Sequence, residues 1–100
     1  MAGGDVLDRV ERRLLIDGRW REASDGGTFG VENPATGRTL ATVASATADD
    51  ARAALDAACS AADGWARTPP RERAEVLRRG YELVRDHADD LAWLMTAEMG

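Results

Sequence analysis

The segment Leu14–Gly37, LLIDGRWREASDGGTFGVENPATG, constrains the fold more than any other part of this chain. Leu14 to Ile16 and Arg19 to Arg21 are short runs separated by Asp17-Gly18, a pair that tolerates the positive φ angles of a tight type I′ turn. That predicts a β-hairpin. Ser24 to Gly27 reads as a polar, glycine-rich loop. Beyond it Phe29 and Val31 alternate with Thr28, Gly30 and Glu32, which sets the two apolar groups on one face of a strand. Asn33-Pro34 ends that strand. Proline holds φ at about −65° in the first central position of a turn and pushes Asn33 towards extended geometry, and Gly37 takes the exit angle. A further strand is expected over Thr39 to Ala44.

The remainder reads as helical. Thr47 stands three residues before Asp50, the spacing of a near capping box, in which the hydroxyl accepts from a backbone N–H and the carboxylate meets the positive end of the helix dipole. Ala51, Ala54, Leu55, Ala58, Ala62 and Trp65 then recur at helical spacing as an inner face made mostly of alanine, with Asp49, Arg52, Asp56 and Asp63 turned outward. Small side chains allow close approach to a neighbouring sheet or helix. Gly64 is the expected left-handed cap, with Trp65 folding back on the last turn. Thr68 is expected to cap the next helix with Pro69 in its first turn. Its apolar stripe is Ala74, Leu77, Tyr81, Val84 and Ala88, broadened by Val76, Gly80 and Leu83, with Glu75 and Arg79 paired on the polar side. Gly80 costs a helix about 1 kcal/mol against alanine, which reads either as close approach by another backbone or as simple tolerance. The pattern slips around His87 and restarts through Leu91 and Leu94, so a helix break is expected there.

Three ordered stretches together resemble the amino-terminal segment of the NAD(P)-dependent aldehyde dehydrogenase superfamily. They are LLIDGRW through Gly-Gly-Thr-Phe to Glu-Asn-Pro-Ala-Thr-Gly; Pro69-Pro70-Arg71-Glu72-Arg73-Ala74 opening a helix; and Asp90-Leu91-Ala92 through Glu98-Met99-Gly100. The succinate-semialdehyde dehydrogenase branch is the most similar. The resemblance implies an α/β enzyme in which residues 1–13 are an N-terminal arm and residues 14–100 begin a Rossmann-like cofactor-binding domain, as a hairpin and extended strands followed by two to three helices. It further implies that a complete enzyme traps an aldehyde on a cysteine thiolate, passes hydride to NAD or NADP and hydrolyses the thioester. The matching catalytic cysteine, glutamate and asparagine and the dinucleotide site are implied to lie downstream of these hundred residues. No catalytic, cofactor-binding or metal residue is therefore assigned here, and no cofactor is expected to bind this chain alone. The expected partners are the rest of the enzyme, a small-molecule aldehyde and, as a homo-dimer or tetramer, further copies. Some relatives hold a monovalent cation on backbone oxygens at the position of Val31 and Glu32.

Composition narrows the rest. The 44% hydrophobic fraction includes 19 alanines, which leaves 25 larger apolar side chains, each worth about 1.5 to 3 kcal/mol when fully buried. Ordering the backbone costs about 1 to 2 kcal/mol per residue, so this thin core is expected to need additional structure to hold its shape. A net charge of −5 argues against nucleic-acid binding, which needs a surplus of cations on one face. Arg9, Arg12 and Arg13 are interleaved with Asp8 and Glu11 and read as a solvated helical turn. Met1 to Asp5 lack the basic-then-apolar order of a secretory signal, and no uncharged stretch approaches the roughly 20 residues of a membrane span. Gly3-Gly4 reads as a frayed end, and Gly26-Gly27 does not precede a helix as a phosphate-cradling loop would.

The lone Cys59 suits a reducing cytoplasm. It falls mid-helix, with Asp56 and Asp63 as its nearest charges in place of the cation or base that a reactive thiolate requires, and reads as a packing group. His87 has no second histidine or cysteine at ligand spacing and reads as an exposed junction residue. Trp93, Leu94, Met95 and Met99 read as core or interface. Two functional classes remain open: the leading portion of an aldehyde dehydrogenase, and a self-contained helical interaction module in which the Ala74–Val84 stripe docks a partner helix.

Overall fold

The computed structural model describes residues 3–100, in the order α1 (Gly3–Arg9), β1 (Leu14–Ile16), β2 (Arg19–Arg21), β3 (Thr28–Asn33), β4 (Arg38–Ala44), α2 (Ala48–Arg67), α3 (Pro70–Asp86) and α4 (Ala88–Met99). Met1 and Ala2, which belong to the stretch weighed above as a secretory signal, lie outside the described residues.

The expected hairpin is present. β1 and β2 pair antiparallel with Leu15 opposite Trp20, and Asp17 and Gly18 at the turn have φ of 55° and 71°, both in the region that a type I′ turn needs. β3 and β4 form a second antiparallel pair, with Phe29 opposite Val43. Their connection is the Asn33-Pro34 turn. The Asn33 carbonyl accepts from Gly37 N at 2.8 Å, its side-chain Oδ1 accepts from Ala35 N at 2.9 Å, and Gly37 has φ 72°. Between Val31 and Glu32 the register slips, so that Leu40 on β4 has no opposite number; such a bulge increases the local twist.

Isolated two-stranded sheets are marginal in water, and both pairs are tied to other elements. Arg12 O accepts from Ala44 N at 2.9 Å and Gly27 O from Ser45 N at 2.9 Å, which binds the chain before β1 and the loop before β3 to the end of β4. α4 lies against β3, and α1 against α4. Val6, on α1, is 2% exposed and is one of three buried hydrophobic residues among those described, with Ala23 and Ala97. Val31 and Leu94 are half-buried, whereas Phe29 stays exposed. Between α1, α4 and the β3–β4 pair remains an apolar cavity of about 120 Å³, lined by Leu7, Val10, Val31, Leu40, Val43 and Leu94 among others.

Five expectations require correction. Gly3 and Gly4 open α1 instead of fraying, because the turn they begin carries Val6 into contact with the rest of the molecule. Gly64 does not end α2. The helix runs on to Arg67, so Trp65 sits within its last turn and does not fold back on it. The stop comes from the prolines: Thr68 precedes Pro69 and is forced to extended geometry, φ −62° and ψ 130°. Thr68 consequently closes α2 instead of opening α3. Its N–H donates to Trp65 O at 3.1 Å and its hydroxyl to Gly64 O at 2.8 Å, so Pro69 is the N-cap of α3 and Pro70 its first residue. α2 lies against β1, and its less exposed residues are Asp50, Ala53 and Ala57, not the Ala51–Ala58 face, which is exposed. Helical spacing predicted the helix but not which of its faces turns inward.

The expected break at His87 is found, with α3 ending at Asp86 and α4 starting at Ala88. The whole is open. The radius of gyration is 16.7 Å, against about 13 Å for a compact domain of this size. The accessible surface is 7615 Å², against roughly 5,500 Å² for a compact monomer of this mass.

Gly37→Val places a β-branched residue at positive φ, costing roughly 1–2 kcal/mol. Amide exchange across β3 and β4 is expected to accelerate roughly five- to thirtyfold, measured by hydrogen–deuterium exchange; unchanged rates would refute the role assigned to the turn.

Candidate docking face and the Asp50 hub

The most deeply buried large side chain is a carboxylate. Asp50 is 1% exposed, and burial without partners would be prohibitive for an ionised group. Its Oδ2 accepts from the backbone N–H of Thr47 at 2.9 Å and of Ser24 at 3.0 Å; its Oδ1 accepts from Arg21 Nη2 at 2.8 Å. Asp50 N donates to Thr47 Oγ1 at 3.1 Å, which completes the capping box. Ser24 Oγ and Thr47 Oγ1 lie 2.8 Å apart. The backbone donors of Thr47 and then of Ser24 hold the Asp50 carboxyl far below the usual carboxylate range, against the opposing effect of burial. One side chain thus caps α2 and fastens the end of the hairpin and the loop after it. Sequence spacing revealed the Thr47–Asp50 cap; the links to Arg21 and Ser24 span 29 and 26 residues and left no local signal.

Along α3, by contrast, no residue is buried. Leu77 is 71% exposed and Tyr81 62%, with Val84 and Leu83 similar. Leu55 and Trp65 on α2 are also exposed. Isolated exposed leucines are ordinary, but a contiguous helical stripe marks an interaction surface. On the polar side of α3, Arg78 pairs with Glu75 at 2.5 Å and with Glu82, and Arg79 stands 3.8 Å from Glu75. The Arg78 guanidinium lowers the Glu75 carboxyl from its ordinary value. A Cβ at Gly80 would meet nothing within 4 Å, so no backbone of this chain makes the close approach that its glycine invites.

The other residues weighed in the sequence are scattered. Cys59 is exposed on α2. His87 lies at the α3–α4 junction with Nδ1 3.7 Å from Asp90 Oδ2, and Asp90 also pairs with Arg9 at 3.0 Å. Trp93 and Leu94 are half-buried, while Met95 and Met99 are exposed. Gly26 has φ 71°, and Gly27 N donates to Asp25 Oδ1 at 2.7 Å; this turn leads into β3, so its amides do not converge at a helix N-terminus as a dinucleotide cradle requires. Val31 and Glu32 flank the β3–β4 bulge. Among the described residues no three His, Cys, Asp or Glu side chains gather as a metal centre, and no helix is long and apolar enough to cross a membrane.

The aldehyde dehydrogenase family model matches residues 20–100. The succinate-semialdehyde dehydrogenase [NADP(+)] of Escherichia coli K12 is 44% identical over 89 residues, covering 89% of this chain and 18% of that protein. The succinate-semialdehyde dehydrogenase of Paenarthrobacter nicotinovorans is 62% identical over 61 residues, covering 61% of this chain and 14% of that protein. A betaine aldehyde dehydrogenase structure from Staphylococcus aureus, in complex with NAD+, superposes with a TM-score of 0.90 at 29% identity, over 95% of this chain and 19% of that one. This chain belongs to the aldehyde dehydrogenase family, as an N-terminal segment of it. It spans less than a fifth of the length of the curated relatives named above.

Asp50 titrates lower when folded than when unfolded, so its contribution to stability is complete above the ordinary carboxylate range and is lost as pH falls through and below it. Between about pH 5 and pH 2 the native protein should lose thermal stability more steeply than Asp50→Asn. Parallel pH profiles of the two melting temperatures would refute the assignment.

Proposed function

We propose that this chain is the leading part of the cofactor-binding domain of an NAD(P)-dependent aldehyde dehydrogenase that converts an aldehyde, succinate semialdehyde by preference, to its carboxylic acid. The observation that carries this reading is the family match over residues 20–100 joined to an apolar α3 face that is left exposed. A scaffold whose buried hydrophobic residues are Val6, Ala23 and Ala97 among those described fits a bracket completed by the rest of a larger enzyme. The succinate preference is supported by the names of two relatives. The catalytic groups and the dinucleotide site belong to the portion of the polypeptide that these residues do not include. In that enzyme the hundred residues brace the cofactor-binding domain and take no part in proton or hydride transfer. A cytoplasmic homo-dimer or tetramer completes the proposal.

A full-length enzyme that contains these residues should reduce NAD+ or NADP+ with succinate semialdehyde, followed by absorbance of the reduced cofactor. Isolated residues 1–100 should be inactive and should melt without cooperativity in circular dichroism. A compact, cooperatively melting fragment would favour the self-contained interaction module instead, and an inactive full-length product would remove the proposed reaction.

A further inference from the structure

Arg73 stands apart from the other arginines of α3. A helical residue meets the side chains three and four positions away. For Arg71, Arg78, Arg79 and Arg85 at least one of those positions is acidic, whereas for Arg73 they are Pro69, Pro70, Val76 and Leu77. No carboxylate of its own helix is in register with it. Its Nε is shut off from solvent and has no hydrogen-bond partner, although a guanidinium is always charged and presents five donors. It sits in a shallow groove at the α2–α3 corner with Trp65, Pro70, Ala74 and Leu77, continuous along the helix with the bare stripe.

We infer that the segment of the same polypeptide which covers this groove carries an aspartate or glutamate that pairs with Arg73. The inference rests on the proposed reading that α3 is covered in the complete enzyme. Covering the corner removes the water that now serves the exposed part of the guanidinium, and a desolvated cation is tolerated when a counter-charge and matching acceptors replace that water. A carboxylate fits the planar fork with two parallel hydrogen bonds, which a single carbonyl does not. The acids on α3 itself that reach an arginine, Glu75 and Glu82, are already engaged by Arg78. The groove therefore specifies an occupant of mixed character: apolar contacts to Trp65 and Leu77 around one acidic side chain. Its length lies outside these hundred residues, in the four-fifths of the relatives' length that the chain does not span.

The test uses a full-length enzyme that contains these residues. Its crystal structure should show a carboxylate within hydrogen-bond distance of the Arg73 guanidinium, and hydrogen exchange should show residues 70–84 protected. Arg73→Met should accelerate exchange over 70–84 at least roughly tenfold, and Arg73→Lys, which keeps the charge but not the fork, by less. Protection of 70–84 with Arg73 held by carbonyls or water alone would overturn the inference while leaving the covered face intact. An unprotected 70–84 segment, or a frame that closes at Gly100, would instead overturn the reading on which it rests.

Discussion

A buried carboxylate holds this scaffold in register. Asp50 opens α2, and its two oxygens receive the Arg21 guanidinium and the amides of Ser24 and Thr47. Without it the β1–β2 hairpin would meet α2 through a few half-buried alanines and aliphatic groups, too little apolar area to set an angle. Directional bonds to a charged group supply what packing does not. That arrangement follows from composition: alanine lets α2 approach β1 closely, but each alanine contributes little buried area, so orientation falls to a polar hub.

The second constraint is the surplus of surface. An accessible area of 7615 Å² and a radius of gyration of 16.7 Å both exceed those of a compact domain of this size. The elements that do pack, α1 and α4 with the β3–β4 pair, enclose an apolar cavity between them, and α3 extends away with its apolar stripe bare. The chain spans less than a fifth of the length of the two succinate-semialdehyde dehydrogenases it resembles. A stripe that would be a liability on a free-standing protein is, under the proposed reading, a contact surface.

Local backbone chemistry was legible to within about a residue. Asp17-Gly18, Asn33-Pro34 and Gly37 produced the turns expected of them because their φ preferences act without help from distant residues. The break at His87 was legible from the slip in periodicity. At the end of α2 two signals compete. Gly64 could end a helix but is compatible with continuing one, whereas Pro69 forbids Thr68 a helical conformation, so the stronger constraint acted and Thr68 capped the helix behind it. Val6 was missed because a short N-terminal helix is stabilised by what it packs on, and that is not written in its own seven residues.

The sequence by itself determined the turns, the strand alternation, the helices and the family, since each depends on residues close together along the chain or on an ordered set of such motifs. Tertiary structure alone decided which face of α2 is inward, which groups share Asp50, and that Arg73 is left with a solvent-shielded Nε and no partner. Those outcomes turn on residues more than twenty positions apart meeting in space, or failing to, and periodicity carries no record of which neighbour a face will find.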